Sequence, residues 1–253
     1  MNRKYWTIPG LLLLMMAMAG CAEQAVATYT PPSAPSMSLR QAEAIIKNVK
    51  HGLIWSPDAG PLTNGDEYES IRISNGKLEF VDKKHEVVHS FPLEKLSISV
   101  GKWYTPVLFL NKWRISVLSL KQVADAITVL KENAPDPARE AAFAKAVEFY
   151  RNARVKPVPG EDVRRYQVMA EEAIRQKQFS VAVQDYRDGL KIAPWWPQGH
   201  FNAAMVLGEL HFYDEAIDQM RKYLALVPDA PNARAAQDQV YRWQSEAQVA
   251  PAQ

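Results

Sequence analysis

The chain has one cysteine, Cys21, among its 253 residues, so no disulfide within the chain can brace it. Glycine is scarce at 11, and no glycine-rich loop of the kind that cradles phosphate is present. Neither sign of charge prevails: Lys and Arg number 30, Asp and Glu 28. Arg3 and Lys4 account for the difference, and the rest balances at 28 against 28. A neutral chain without a basic block offers no electrostatic basis for binding nucleic acid. The apolar run Ile8 to Ala19 is shorter than the ~20 residues that cross a bilayer. No Ser/His/Asp set and no paired carboxylates stand in a recognisable frame, so neither an enzyme nor a bound cofactor is expected. With 47% hydrophobic and 23% charged residues the chain is expected to fold, and its length allows two domains or one domain plus a short array.

The strongest pattern is an internal repeat. Phe179 is followed by Tyr213, Ala182 by Ala216, Leu190 by Leu224 and Pro194 by Pro228, each pair 34 residues apart. That period belongs to stacked helix–turn–helix units. Small residues at Ala170, Ala182, Ala204 and Ala216 suit places where two helices approach closely, with larger neighbours filling the gaps. Pro194 and Pro228 end their helices. Ala233 to Gln248, with Ala236, Val240 and Trp243, is expected to form a terminal helix covering the last unit. The stretch Val163 to Pro228 resembles the tetratricopeptide repeat (TPR) family, whose arrays bind partners and carry out no chemistry. The resemblance implies a concave groove lined by the first helix of each unit. By register it assigns Arg164, Gln167, Glu171, Gln198, Phe201, Met205, Asn232 and Gln239 to that groove, with Phe201 and Met205 as apolar anchors. The Lys and Asn arrangement with which some relatives hold a C-terminal carboxylate is not apparent. Trp195-Trp196, in the turn between units, is either a contact site or a packed pair, one indole inward and the other over it; packing is the favoured reading.

The N-terminus reads as an export signal. Asn2-Arg3-Lys4 is a positive region, the apolar run follows, and Ala19-Gly20 supplies small residues before Cys21. Met18-Ala19-Gly20-Cys21 resembles the bacterial lipobox, with Met where the family more often has Leu. The resemblance implies cleavage before Cys21 and lipidation of its thiol. Acyl chains contribute about 0.8 kcal/mol per buried methylene, enough when several are attached to hold a protein on a membrane. Ala22, where inner-membrane lipoproteins commonly carry Asp, points to the outer membrane. An ordinary signal peptide with an incidental cysteine is the other reading.

Residues 21–37 are small, polar and Pro-rich and are expected to form a flexible tether. Ser38 is expected to cap a helix running from Leu39 to about Lys50. From Tyr68 to Ser116 the period changes to two, which predicts antiparallel strands. Asn75-Gly76 marks a tight hairpin, and Asn111-Lys112 turns the last pair. Leu120 to Glu132 is then helical, with Val123, Ala124, Ile127 and Leu130 along one face. Strands in series closed by one helix resemble the pleckstrin-homology-like (PH-like or GRAM-like) small barrel over Glu67 to Asn133. The fold class expected is therefore α+β: a small barrel-like sheet domain over 38–133, then an all-α array over 163–248. Between them, 134–160 is a linking helix or a degenerate repeat, capped by Asp136 and Pro137.

His85-Glu86-Val87-Val88-His89 matches the HExxH pattern of zinc proteases. That chemistry needs a helix, where residues four apart share a face. In a strand the two histidines would lie ~13 Å apart. Val87-Val88, the upstream hairpin and Pro92 all favour the strand, so no metal is expected. The functional expectation is a lipid-anchored envelope protein acting as an interaction adaptor, which binds an envelope or periplasmic protein or peptide through its repeat groove. The alternative is a ligand-binding lipoprotein whose sheet domain holds a lipid headgroup, glycan or peptide.

Overall fold

The structure is a computed structural model that describes residues 27–29, 37–56, 65–102, 106–111, 113–117 and 119–249. It is an α+β molecule: an antiparallel sheet carrying two helices, then a run of six more helices. Helix α1 (Leu39–Asn48) starts as expected at Ser38. The Ser38 hydroxyl accepts from the Gln41 N–H at 3.2 Å, and the Gln41 side chain accepts from the Ser38 N–H at 2.8 Å. This capping box satisfies two N–H groups that the helix itself leaves unpaired.

The chain then turns directly into strand β2 (Lys50–Trp55), whereas the sequence puts Lys50 at the end of the helix and gives residues 51–55 no strand. Two residues conceal this strand. His51 has a left-handed φ of 49°, and Gly52 lies so close to Tyr68 that a Cβ would stand 2.4 Å from the phenol oxygen. Strands β3 (Asp66–Ser74) and β4 (Lys77–Val81) follow, joined at Asn75-Gly76 with φ of 49° and 69°. Two positive φ values match the right-handed twist of the flanking strands. β4 alternates over its first four residues, with Leu78 and Phe80 buried and Glu79 reaching back to Arg72 on β3 at 2.8 Å, until a register shift between Phe80 and Val81 buries Val81 as well.

Strand β5 (Val87–Pro92) and a short 3₁₀ turn at Leu93–Lys95 lead to β6 (Ile98–Lys102), β7 (Pro106–Leu110) and β8 (Trp113–Ile115). Ala27–Thr28 pairs with β6 as a two-residue strand, β1, inside the segment read as a tether. β6 would otherwise present an unpaired edge of backbone donors and acceptors. The strand order is β1-β6-β7-β8-β2-β3-β4-β5, antiparallel at every step, and the end strands β1 and β5 do not pair among the described residues. The sheet is therefore open. Helix α2 (Leu120–Asn133) packs against α1 and the sheet. Ile46, Ile54, Phe80, Leu108 and Ile127 meet in their shared core, with Tyr68 edge-on to Phe80 at 5.0 Å.

The remaining helices are α3 (Pro137–Asn152), α4 (Glu161–Arg175), α5 (Phe179–Ile192), α6 (Pro197–Glu209), α7 (Tyr213–Leu226) and α8 (Ala233–Val249). From α4 onward each packs against the next. The backbone recurs with the sequence. Lys177 and His211, 34 positions apart, both turn left-handed at φ 57° and 59°. The Gln178 N–H returns to the Ala173 carbonyl at 2.8 Å, as the Phe212 N–H does to Leu207 at 2.9 Å. Ala170, Ala182, Ala204 and Ala216 are all fully buried between helices.

Helix α3 is capped by Asp136, whose carboxylate accepts from the N–H groups of Ala138 and Arg139. It does not stack in front of α4. It lies on α7 and α6, with Phe143 edge-on to His200 at 5.5 Å and beneath the Lys222 ammonium. The sheet domain is tied to the same side. Arg40 pairs with Asp214 at 2.6 Å and donates to the Ala247 carbonyl, and Glu132 faces Arg187 at 3.7 Å. The buried Glu215 accepts from the Leu39 N–H, at the first residue of α1, at 2.7 Å.

Burial raises the Glu215 carboxyl above its ordinary value of 4.5, with Asp214 adding to the shift and Arg187 opposing it. A carboxyl raised in the folded state holds its proton better than in the unfolded chain. Its contribution to stability is complete below about pH 4.5 and is lost as pH rises through the folded value. Glu215→Gln keeps an acceptor for Leu39 and cannot ionise. Thermal unfolding should show the variant about 2–4 °C above wild type at pH 8, the shift that about 1 kcal/mol gives in a chain of this size, with the gap closing at pH 4.

Candidate functional site

Helices α5 and α7 form one layer of the array. Each packs between two of α4, α6 and α8, which form the other layer. Among the described residues, the ion pairs that join the sheet domain to the array reach α5 and α7. The outer face of α4, α6 and α8 is thus the candidate surface, and it carries the eight residues assigned from the sequence.

The structure divides those eight. On α4, Arg164 is exposed and lies 4.0 Å from Glu161, while the Gln167 amide donates to Glu171 at 2.8 Å. On α6, Gln198 donates to Asn202 at 2.7 Å, and Met205 keeps 38% of its surface exposed. On α8, Gln239 accepts two bonds from the Arg242 guanidinium, at 3.0 and 2.6 Å. Phe201 and Asn232 are differently placed. Phe201 is partly buried, edge-on to Tyr223 at 5.1 Å, and the Tyr223 hydroxyl donates to Asn232 at 2.5 Å. These two tie α6, α7 and the start of α8 together. Phe201 is a packing residue more than a free anchor, which leaves Met205 as the apolar centre of a polar, charged face. Cys21 lies outside the described residues.

Beneath this face sits His200, almost fully buried. Its Nδ1 is 2.8 Å from the Gln219 side chain and its Nε2 is 2.9 Å from the Pro194 carbonyl. With both ring nitrogens engaged and Phe143 against its face, it braces the turn between units. Trp196 packs inward near Tyr186, and Trp195 is covered by Phe149 of α3 at 5.9 Å. The two indoles are packed, as favoured from the sequence.

The HExxH segment does not form a helix. His85 has φ 65° in the turn closed by Asp82, whose carboxylate accepts from the N–H groups of Lys84 and Glu86. His89 lies on β5, 2.8 Å from Asp66 and against Trp113. Among the described residues, no three His, Cys, Asp or Glu side chains gather where a metal ion could be held. The docking residues Arg40, Asp214 and Glu215 escaped the sequence reading. One signal was present: Glu215 stands where the preceding unit has Val181, a charge at a position the other repeat makes apolar.

Burial holds the His200 imidazole below its ordinary value of 6.5, against its two hydrogen bonds. The unfolded chain therefore takes up this proton first, and the stability tied to neutral His200 is present above about pH 6.5 and lost as pH falls through the folded value. His200→Leu leaves the Pro194 carbonyl and the Gln219 amide without this partner and should cost about 2–3 kcal/mol at pH 8. Denaturant titrations at pH 8 and pH 5 should show that cost shrinking on acidification. A scan against protein-family models and searches of the curated proteins and of the solved structures find no match to this chain.

Proposed function

We propose that this protein is a bacterial envelope lipoprotein that captures a periplasmic protein or peptide on the α4, α6 and α8 face. The observation that carries this reading is the asymmetry of the array. Its α5 and α7 layer holds the sheet domain through Arg187, Asp214 and Glu215, while the face of α4, α6 and α8 turned away from it leaves Arg164, Glu171, Gln198 and Met205 exposed and Gln167 and Gln239 half-buried. A polar face with one exposed Met at its centre suits an extended or helical segment that seats an apolar side chain and pairs its own polar groups around it. The tetratricopeptide-type reading is supported by the 34-residue recurrence of the turn bonds and of the buried alanines. A PH-like reading of the sheet domain is supported by its serial antiparallel strands followed by α2. The open strand order and the additional helix α1 depart from that pattern.

The lipid anchor is read from Met18-Ala19-Gly20-Cys21. Among the described residues no helix is long and apolar enough to cross a membrane. Anchoring at Cys21 would confine the protein to one leaflet, taken here as the periplasmic side of the outer membrane. Confinement raises its effective concentration for partners on the same surface.

Two substitutions test these parts separately. Cys21→Ser should abolish labelling by a palmitate analogue and move the protein out of the membrane fraction. Met205→Glu should lower partner recovery from detergent-solubilised envelope by about tenfold, the loss of one central apolar contact, with the melting temperature nearly unchanged. Equal recovery by wild type and Met205→Glu would rule out this face. Point substitutions are required here, because removing the array would bare the α1 surface that meets Asp214 and Glu215.

A further inference from the structure

Helix α4 has a second solvent face, distinct from the one holding Arg164, Gln167 and Glu171. It is formed by Arg165, Val168, Met169 and Glu172, with Val168 53% and Met169 47% exposed. Moving forward 34 positions gives Gly199, Asn202, Ala203 and Val206 on α6. There the same face is closed: Gly199, Ala203 and Val206 are buried, Gly199 against Trp196 of the preceding turn, and Asn202 donates to the Tyr186 hydroxyl of α5 at 3.1 Å. A further 34 positions give Ala233, Ala236, Gln237 and Val240 on α8, where Ala236 and Val240 are buried. This face is thus the one by which each outer-layer helix meets the helix before it. On α4 it is left open, because α3 lies on α7 and α6 instead.

The residues on the open face are also arranged with a symmetry of their own. Arg165 and Glu172 stand at its two ends, at equal distances from a midpoint between Val168 and Met169. At 100° per residue, Arg165 and Glu172 fall near the centre line of the face, and Val168 and Met169 fall on its two flanks. A two-fold axis through the midpoint, relating two antiparallel helices, brings Arg165 of each copy to Glu172 of the other. It also brings Val168 against Val168 and Met169 against Met169. The Glu172 carboxylate is turned toward Arg175 and Gln176 of its own helix, and in the pair it gains Arg165 of the second copy as a further cation.

We propose that two copies of this chain associate through this face of α4, antiparallel about a two-fold axis. The contact is isologous, so it closes at a dimer. One helix pair is a small interface, at the weak end of specific association. The groove face of α4 stays clear in the dimer.

Sedimentation velocity of the full chain from about 1 to 200 µM, a range suited to small interfaces, should show a concentration-dependent dimer. Arg165→Glu and Glu172→Arg, each alone, set like charges together twice and should each raise the dimer dissociation constant by at least about tenfold. An equimolar mixture of the two variants restores both pairs, so a heterodimer should form with close to wild-type affinity. The double variant R165E/E172R should dimerise by itself. A wild-type chain that stays monomeric overturns the proposal, as do single variants that dimerise unchanged or a mixture that fails to associate. In a monomeric chain, the rate of peroxide oxidation at Met169 relative to Met205 then separates a face covered by another segment of the same chain, where Met169 is protected, from one left open for a different protein.

Discussion

A buried carboxylate decides which surfaces of this molecule are free. Glu215 stands at the start of α7 and accepts from the first N–H of α1, 176 residues earlier in the chain. That N–H is one of those a helix cannot satisfy by itself, and the end of the helix that carries it is electropositive. Arg40 completes the join by reaching Asp214 and the Ala247 carbonyl. With α1 seated there, the sheet domain lies against the α5 and α7 side, and the face of α4, α6 and α8 that carries Met205 is left to solvent. The cost is a carboxyl held in a setting that favours its protonated form. A group of this kind is kept for its position, since an apolar residue such as the Val181 of the preceding unit would fill the space without orienting α1.

Much of the fold could be read from the sequence, and the reason differs by region. The Asn75-Gly76 hairpin was legible because two positive φ values leave few alternatives to those residues. The array was legible because a helix pair that must repeat its packing has to repeat its alanines, and Ala182 and Ala216 do so at the turn-defined spacing. Strand β2 was not legible. His51 in a left-handed conformation and Gly52 beneath Tyr68 interrupt the alternation that marks a strand. Strand β1 was not legible either, since a two-residue strand is made by the needs of β6 and not by its own composition.

The candidate surface was only partly legible. Register can assign a side chain to a face but does not say what that side chain meets once the helices are placed. Phe201 and Asn232 occupy groove positions by register, yet Phe201 packs edge-on against Tyr223, and the exposed Asn232 is engaged by the Tyr223 hydroxyl. Arg40, Asp214 and Glu215 lay beyond reach for another reason: their pairing depends on how two separately folded parts meet. The repeat marks only Glu215 as out of pattern against Val181, and it does not record the partner on α1.

The position of α3 connects the two open faces. A helix echoing Phe179, Ala182 and Tyr186 through Phe143, Ala146 and Tyr150 would be expected to stack before α4 as half of a repeat. Instead Phe143 is held by the His200 ring and the Lys222 ammonium, and Phe149 rests on Trp195. Aromatic partners at the middle of the array outcompete the edge of α4, where Val168 and Met169 provide less surface and no ring. The consequence runs in two directions. Through Phe143 and Phe149, α3 packs on His200 and Trp195 at the turn between the two units, on the side of α6 away from Met205. The same choice strips the first helix of the array of the cover that α6 and α8 both have, and leaves there a face whose charges are matched to their own image.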